Sequence, residues 1–239
     1  MSLPRFFALE HTGPVTEGSV VRLGAEAARH LKALRLRPGN ALELVLPGGA
    51  WRADVAVMDR DRAEARLIAR LQEDREPAIP LEGWLPLTAQ LSLWDDWLPP
   101  LVELGITRIV PVVYARSEHD PRKTAAKRER WERLVLAACE QSHRSAVPVL
   151  EEPAPFEVLL KAEAPQKWVA YELATGEANP ALRRAPLAFT SGPEGGIEDG
   201  EFEALRRAGW QPVSLGRSIL RAVTTPVALL GAVQFSLQS

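Results

Sequence analysis

Two glycine-rich loops near the end of the chain constrain its fold more than any other feature. The first glycine loop, residues 190–196, reads TSGPEGG, and the second glycine loop, residues 214–221, reads SLGRSILR. Each follows an apolar run that predicts a strand and precedes a segment with helical periodicity. Because ligands of open α/β sheets bind at the carboxyl ends of the strands, we expect both loops to converge on one small ligand.

Strands and helices alternate through the C-terminal part of the chain. Apolar runs predict strands at LEGWLPL, ITRIVPVVY, KWVAYEL, APLAFT and QPVSL, with helical periodicity between them. Continuous apolar strands are typical of a mostly parallel sheet that helices cover on both faces. The predicted helix LWDDWLPPLVELG contains Pro99 and Pro100, which we expect to bend or restart it. The fold class is therefore α/β.

Residues 1–70 have a different pattern. Short alternating or apolar runs predict strands at SVVRL, ALELVL, WRADVAVM and AEARLIARL, and AEAARHLKALRL predicts a helix. About five strands around one helix are typical of a small barrel or curled sheet. The charged, proline-containing segment 71–80 is interpreted as a linker, which predicts two domains, 1–72 and 73–239.

Composition narrows the class of protein without identifying it. The 239 residues carry one cysteine, Cys139, which excludes an internal disulfide framework and fits a reducing cytoplasm. Its helical spacing predicts a small buried hydrophobe. The four histidines lack metal-ligand spacing, so no metal is expected. No run approaches the roughly 20 apolar residues of a membrane span, and no cleavable leader is recognised.

Net charge and arginine content lead to opposite expectations about a nucleic-acid partner. The formal net charge of −2 argues weakly against such a partner, since strongly basic domains are the usual footprint. Arginines nevertheless greatly outnumber lysines. A planar guanidinium can bind a phosphate or a base edge through two hydrogen bonds, which a lysine ammonium does less well. A GC-rich or thermophilic source would also favour arginine, so both explanations stay open.

The chemistry of the two loops favours a nucleoside without a triphosphate. Glu198 and Asp199 lie at the start of the helix that follows the first glycine loop, and their negative charges disfavour binding of a phosphate there. The sequence also contains no P-loop pattern. In the second glycine loop, Leu215, Ile219 and Leu220 flank Gly216 and fit a flat apolar ring. A neutral or cationic ligand such as an adenosyl sulfonium suits this pair of loops. Alternatively, both are ordinary turns whose glycines serve only geometry.

Several blocks of the chain together resemble the SPOUT class of RNA methyltransferases. Within that class, the chain is similar to the family that methylates N3 of a uridine in 16S ribosomal RNA. The most specific pair is GPEGG followed by LGRSILR, with a last helix beginning TTPVAL. Further blocks occur in the family's order: RFF at 5–7, HLKALRLRPGN at 30–40, ELGITRIVPVVYARSE at 103–118 and ERWERLVLAACEQSHRSAVPVL at 129–150.

The resemblance implies an architecture, a cofactor and partners. It implies an N-terminal PUA-like barrel that binds RNA, a C-terminal α/β domain with a deep trefoil knot, S-adenosylmethionine as methyl donor, and a homodimer. The chain departs from the family in two places. Arg221-Ala222-Val223-Thr224-Thr225 replaces Arg-x-Glu-Thr-Ala, and TAQLSLWDDWLPP lacks the usual lysines. We therefore expect no acid role for a residue of 221–225 and no basic RNA contact from the segment TAQLSLWDDWLPP.

Site residues follow from the loops and from the resemblance. We expect two residues to face the uridine in catalysis, Arg221 and Glu194. For the cofactor we expect Leu173, Thr190, Gly192, Pro193, Gly195, Gly196, Leu215, Gly216, Ile219 and Leu220. For RNA we expect Arg5, Phe7, His30, Arg35 and Arg37 from the barrel domain and Arg116, Gln141 and Arg144 from the knotted domain.

Two other readings remain open at this point. The first is a non-catalytic RNA-docking module with a nucleoside pocket, and the second is a two-domain nucleotide-binding metabolic enzyme. The apolar second loop favours the methyltransferase, because a plain RNA binder has no need of such a pocket. The last helix, PVALLGAVQFSL, is either a dimer surface or internal core.

Overall fold

The computed structural model describes residues 3–59, 62–72, 75–117, 119–172, 174 and 179–238. The chain divides into two compact units, of which the first comprises Met1–Glu76 together with Cys139–Ala146 and the second comprises Pro77–Ala138 and Val147–Ser239. Within the described residues, no helix has the length and apolar character needed to cross a membrane.

The first unit contains a five-stranded mixed sheet and one helix. Its elements are β1 (Arg5–Phe7), β2 (Val20–Leu23), α1 (Ala25–Ala33), β3 (Ala41–Leu46), β4 (Gly49–Met58) and β5 (Ala63–Arg70). The strand order is β1-β3-β4-β5-β2, with β1 parallel to β3 and the other pairs antiparallel. The apolar faces of the strands bury their side chains against Ala28 and Leu31 of α1. The predicted small β-rich domain is thus present.

The second unit alternates strands and helices, as the sequence predicted. Its elements are β6 (Leu81–Pro86), α2 (Ser92–Glu103), β7 (Arg108–Val113), α3 (Pro121–Ser142), β8 (Val149–Leu150), β9 (Ala154–Pro155), α4 (Phe156–Leu159), β10 (Gln166–Ala170), β11 (Leu187–Ser191), α5 (Asp199–Arg207), β12 (Gln211–Val213) and α6 (Thr225–Gln238). The last residues of α3, from Cys139 onward, are grouped with the first unit.

All strand pairs of the second unit are parallel, and the order is β12-β10-β11-β6-β7-β8, with β9 also on β7. Every residue of β11 is buried, which explains why the strand reads as a continuous apolar run. The carboxyl ends of β10, β11 and β12 therefore lie side by side at one edge. This sheet confirms the expected α/β fold class.

Helix α2 differs from the expectation in one respect. It runs from Ser92 to Glu103 with Pro99 and Pro100 inside it, so no restart occurs. Trp94 and Trp97 on this helix are fully buried, and the Trp94 ring stacks on Trp131 of α3 with centroids 4.8 Å apart. Packing of this aromatic face offsets the hydrogen bonds that the prolines cannot make.

Candidate active site

A cavity of about 650 Å³ lies where β10, β11 and β12 end. Its walls are the loops that follow these strands, together with Leu93 near the start of α2. The volume lies within the roughly 300–1,000 Å³ range of small-molecule sites. Gly195 of the first glycine loop and Leu215 of the second both line it. The two loops therefore converge on one cavity, as the sequence pattern suggested.

Space and backbone conformation both require glycine in the first glycine loop. A Cβ atom at Gly192 would lie 2.9 Å from Ile197 Cγ1 and 3.1 Å from the Ile197 backbone nitrogen. Gly196 has a φ of +76°, and its N–H donates to the carbonyl oxygen of Pro193 at 2.9 Å, which closes a tight turn. Bare backbone is thus presented to the cavity at these positions.

The second glycine loop is fixed at both ends. Asn179 and Ser214 exchange two hydrogen bonds of 2.8 Å, in which the Asn179 amide side chain bonds the Ser214 backbone. At the other end, Trp97 Nε1 donates to the carbonyl oxygen of Val223 at 2.9 Å. Gly216, with a φ of +125°, provides the turn between them. An irregular apolar loop is held in a defined shape by these contacts.

Most of the predicted cofactor residues line the cavity. Those that do are Gly192, Pro193, Gly195, Gly196, Leu215, Gly216, Ile219 and Leu220. Thr190 is fully buried and does not line the cavity, because its hydroxyl is directed to the carbonyl oxygen of Trp84 at 2.5 Å. Leu173 lies outside the described residues.

Both predicted catalytic residues lie on the cavity wall. Glu194 and Arg221 are exposed, and among the described residues neither side chain has a hydrogen bond or ion pair. The backbone of Arg221 is firmly held, since its carbonyl oxygen accepts from Thr224 N at 2.9 Å and from Thr225 N and Oγ1 at 3.1 and 3.0 Å. The Arg221 guanidinium is therefore available at a fixed point of the wall.

The cavity also contains residues that the sequence did not suggest. Tyr171 and Glu172 come directly after β10, where the sequence pattern had continued the strand. The Tyr171 ring stacks on Phe202 with centroids 3.8 Å apart. Burial raises the pKa of the Tyr171 phenol, and the carboxylates of Asp199, Glu172 and Glu203 raise it further. The phenol thus stays protonated and neutral near neutral pH.

One buried polar atom at the cavity has no partner. Ser191, the last residue of β11, is 2% exposed, and its Oγ has no hydrogen bond within the described part of the chain. A buried hydroxyl without a partner costs free energy unless a ligand or water completes it. No pattern in the sequence marks this residue, since it ends an ordinary apolar strand.

Charge is divided across the cavity. Carboxylates of Glu172 and Glu194 belong to the loops after β10 and β11, whereas Arg217 and Arg221 belong to the second glycine loop. Such a cavity has complementary groups for a zwitterionic tail or a sulfonium. In the described ranges, no group of three or more His, Cys, Asp or Glu is placed to hold a metal ion.

Two residues expected to bind RNA are buried in the first unit. Arg5 is 2% exposed, and its guanidinium bonds Glu43 Oε2 at 2.8 Å and the carbonyl oxygens of His143 and Arg144. Arg144 is also 2% exposed and pairs with Glu76. These arginines tie chain segments together and are not presented to RNA, which corrects that expectation for both.

The remaining predicted RNA residues of the first unit are more accessible. Arg35, Arg37 and Gln141 are exposed, and Phe7 is half-buried. The His30 side chain is 46% exposed, and its Nδ1 lies 3.5 Å from Glu140 Oε2. Gln141 and Arg144, expected in the C-terminal domain, belong to the first unit because residues 139–146 are part of it. Arg116 is exposed in the second unit.

Comparison with known protein families identifies the class. The family model described as an RNA methyltransferase domain matches residues 91–234, and that of an RNA methyltransferase PUA domain matches residues 23–68. The cavity built from two glycine loops lies inside the first of these matches. The fold and site are thus those of an RNA methyltransferase.

Individual relatives narrow the class to one family. The chain is 32% identical to the ribosomal RNA small subunit methyltransferase E of Synechocystis, over 94% of this chain and 76% of that protein. It is 25% identical to the Bacillus subtilis protein of the same description, over 98% and 96% of the two chains. A crystal structure of the Neisseria gonorrhoeae protein of that description, bound to S-adenosyl methionine, superposes with a TM-score of 0.86 at 29% identity, covering 98% of both chains. The chain belongs to the ribosomal RNA small subunit methyltransferase E family.

Proposed function

We propose that this protein transfers a methyl group from S-adenosylmethionine to N3 of a specific uridine in 16S ribosomal RNA, the family target uracil 1498. The observation that carries the proposal is the single cavity lined by Gly195, Leu215, Glu194 and Arg221. It combines exposed backbone and an apolar loop for an adenosine with charged groups at the same wall. Membership of the family supports the reaction and the RNA.

The residues present fit this cofactor. The unpartnered Ser191 Oγ and the bare backbone of the first glycine loop offer polar contacts to an adenosine. Leu215 and Leu220 supply apolar surface for its base, and Glu172 offers a carboxylate to a cation. When bound, S-adenosylmethionine supplies an electrophilic methyl group on a sulfonium. The Neisseria gonorrhoeae relative was crystallised with this molecule.

Arg221 and Glu194 are proposed to face the uridine. Uridine N3 carries a proton at neutral pH, which is released to solvent water as the N3–CH3 bond forms and the S–CH3 bond breaks. Loss of this proton spreads negative charge over O2 and O4. An arginine held at the cavity wall stabilises that charge in the transition state, as fixed donors do at oxyanions. Glu194 is placed on the opposing loop, where its carboxylate can accept a hydrogen bond from the base. The chain thereby orients the base for in-line displacement.

We further propose that residues 1–72 contact RNA and that residues 73–239 carry out the reaction. The match of residues 23–68 to a PUA domain of RNA methyltransferases supports the first part. Arg35 and Arg37 are exposed and can pair with phosphates, and the half-exposed His30 and Phe7 are available for stacking or hydrogen bonding to unpaired bases. Binding by such arginines should weaken steeply with salt.

The active form is proposed to be a cytoplasmic homodimer that requires no metal. Two large apolar side chains of the second unit are strongly exposed, Ile219 at 83% and Phe235 at 76%. Contact with a second copy of the chain would remove these apolar side chains from water. Methyl transfer at an activated sulfonium needs no Lewis acid, so activity should persist in EDTA.

Two measurements test the proposed function together. Isothermal titration with S-adenosylmethionine should give micromolar binding. Small ribosomal subunits from cells lacking the protein, when incubated with the protein and S-adenosylmethionine, should gain one methyl group, which mass mapping locates. Absence of cofactor binding would favour a non-catalytic RNA-docking module. Binding with methylation at another base atom would overturn the N3 assignment.

A further inference from the structure

Arg116 contacts the first glycine loop from outside the cavity. It lies just beyond β7, and its Nη1 donates to the carbonyl oxygen of Gly195 at 2.6 Å. Its Nε lies 3.4 Å from Glu198 Oε1, at the start of α5. The guanidinium therefore spans the loop between Gly195 and the helix that follows it.

The aliphatic part of Arg116 also fills space beside the loop. A Cβ atom at Gly195 would lie 3.2 Å from both Cβ and Cδ of Arg116, closer than most such contacts allow. The neighbouring Ala115 N–H donates to Glu201 Oε1 at 2.7 Å, which fixes the same segment to α5. The segment after β7 and the first glycine loop are thus packed with almost no free space between them.

We propose that Arg116 is a positioning residue that shapes the first glycine loop for the cofactor. The hydrogen bond to Gly195 sets the orientation of the peptide that joins Gly195 to Gly196, and both of these glycines line the cavity. Preorganised backbone groups bind a ligand more tightly because less order is lost on binding. The inference rests on the proposed function, since it takes S-adenosylmethionine as the ligand.

The alternative role for Arg116 is an RNA contact, because its side chain is 49% exposed and a guanidinium has more donors than the loop uses. The two roles give opposite results in binding experiments. A positioning residue changes cofactor affinity and leaves RNA affinity intact. A phosphate contact changes RNA affinity and its salt dependence and leaves cofactor affinity intact.

The first experiment compares Arg116→Ala with Arg122→Ala, which removes an equal charge from an exposed position on α3. Titration calorimetry should show that Arg116→Ala binds S-adenosylmethionine about tenfold more weakly, whereas Arg122→Ala binds as the unaltered protein does. Affinity for a 16S RNA fragment should change less than about twofold in both. In steady state, Arg116→Ala should raise KM for the cofactor with little change in kcat.

A double-mutant cycle with Gly195→Ala tests the contact itself. In the unaltered protein, Gly195→Ala should weaken cofactor binding, because the new methyl group meets Arg116. In the Arg116→Ala background the same substitution should cost less, since Cγ and Cδ are gone and the loop can shift. Arg116→Lys, which keeps the stem and one donor, should restore part of the affinity lost in Arg116→Ala.

The outcomes separate this inference from the proposed function. If the unaltered protein fails to bind S-adenosylmethionine, the proposed function fails. If it binds, and Arg116→Ala binds equally well or the two substitutions add without coupling, only the positioning role is overturned. A loss of RNA affinity with a salt slope reduced by about one would assign Arg116 to the RNA instead. Should Arg116→Ala fold poorly, Arg116→Lys with and without Gly195→Ala provides the same cycle.

Discussion

The hydroxyl of Tyr114 lies 2.7 Å from Thr190 Oγ1, and this hydrogen bond joins the ends of β7 and β11. Thr190 Oγ1 in turn donates to the carbonyl oxygen of Trp84 on β6 at 2.5 Å, and β6 lies between the other two strands in the sheet. Both hydroxyls are buried. Three strands are therefore connected by a short polar chain just before the first glycine loop begins.

Replacing Tyr114 with phenylalanine should weaken this connection. Loss of one buried hydrogen bond is expected to lower the free energy of unfolding by about 1 kcal/mol at pH 7. Urea unfolding measures it. Tyr171→Phe is the matched control and should change stability less, because the half-buried Tyr171 ring keeps its stacking on Phe202.

Alkaline pH should change the stability of Tyr114→Phe and of the unaltered protein by different amounts. Burial raises the pKa of the Tyr114 phenol well above its usual value near 10. At pH values above about 10 the unfolded chain loses this proton while the folded chain keeps it, so stability falls as pH rises. Tyr114→Phe should show a shallower decline in that range. Equal slopes for the two proteins would contradict the assignment.

Gly192→Ala should damage the cofactor site specifically. The added methyl group would press on Ile197, whose backbone nitrogen lies 3.1 Å away and cannot give as a flexible side chain would. We expect a loss of about 1–3 kcal/mol in stability from overpacking. Binding of S-adenosylmethionine should weaken at least tenfold, measured by calorimetry.

Gly200→Ala is the control for that substitution. Gly200 lies in α5 with nothing within 4 Å of an added Cβ atom, so alanine should leave cofactor binding unchanged and stabilise the helix by a few tenths of a kcal/mol or more. Equal binding by Gly192→Ala and Gly200→Ala would show that the first glycine loop does not approach the cofactor.

Periodicity in the sequence was sufficient to predict five of the seven strands described in the second sheet and its ligand edge, whereas the two-residue strands β8 and β9 were not predicted. Fully buried strands such as β11 read as apolar runs, and glycines at residues 192, 195 and 196 mark a loop whose backbone must stay bare. Convergence of the two loops followed from parallel topology alone. Thr190, which the sequence analysis assigned to the first glycine loop and to the cofactor, instead lies within β11, where its hydroxyl bonds the carbonyl oxygen of Trp84.

Other features depend on contacts between segments far apart in the chain. Cys139–Ala146 belongs to the first unit, and its Arg144 bonds Glu76 across 68 positions of sequence. No local pattern distinguishes a buried arginine of this kind from an exposed one that binds RNA. The knot was inferred from family resemblance, since threading of a chain leaves no signal in residue spacing.

Arg221→Ala should separate catalysis from cofactor binding. The guanidinium stabilises charge that develops only in the transition state, so kcat should fall by about a hundredfold while the dissociation constant of S-adenosylmethionine stays within a few fold. Filter assays with tritiated cofactor and small ribosomal subunits measure the rate. Arg207→Ala, an exposed arginine at the end of α5, is the control and should retain full turnover.

A normal rate in Arg221→Ala would remove Arg221 from the reaction. Parallel loss of cofactor affinity and rate would instead show that Arg221 contacts the cofactor. Its position in the cavity wall beside Leu220 allows such a contact. Glu194→Gln, tested alongside, keeps the size of the side chain and removes only its charge.

Glu140 should make the stability of the protein fall between pH 5 and pH 8. Burial, and then the nearby carboxylate of Glu26, raises the pKa of Glu140 from 4.5 to about 7. Across that window the unfolded chain has released the proton that the folded chain still holds, so rising pH favours unfolding. Because the side chain is partly exposed, we expect only about 1 kcal/mol.

Glu140→Gln should remove that slope and be the more stable protein at pH 8. Thermal unfolding at several pH values measures the effect. Glu129→Gln, on the exposed face of the same helix, should behave as the unaltered protein does. A Glu140→Gln protein with an unchanged pH profile would show that Glu140 is ionised at little cost.

Phe235→Asp should dissociate the proposed dimer. Phe235 is 76% exposed in the single chain, on a helix whose other face packs Leu229, Leu230 and Val233 into the core. If a second copy covers Phe235, a carboxylate there becomes buried without a partner, which costs several kcal/mol.

Light scattering of Phe235→Asp at micromolar concentration should give a molar mass near the 26.3 kDa of one chain. Ser236→Asp adds the same charge at the next position, where the exposed serine hydroxyl bonds Ala232 O within the helix, and should leave the dimer intact. A dimer that survives Phe235→Asp would place the contact elsewhere, and the still more exposed Ile219 on the second glycine loop would be the next position to test.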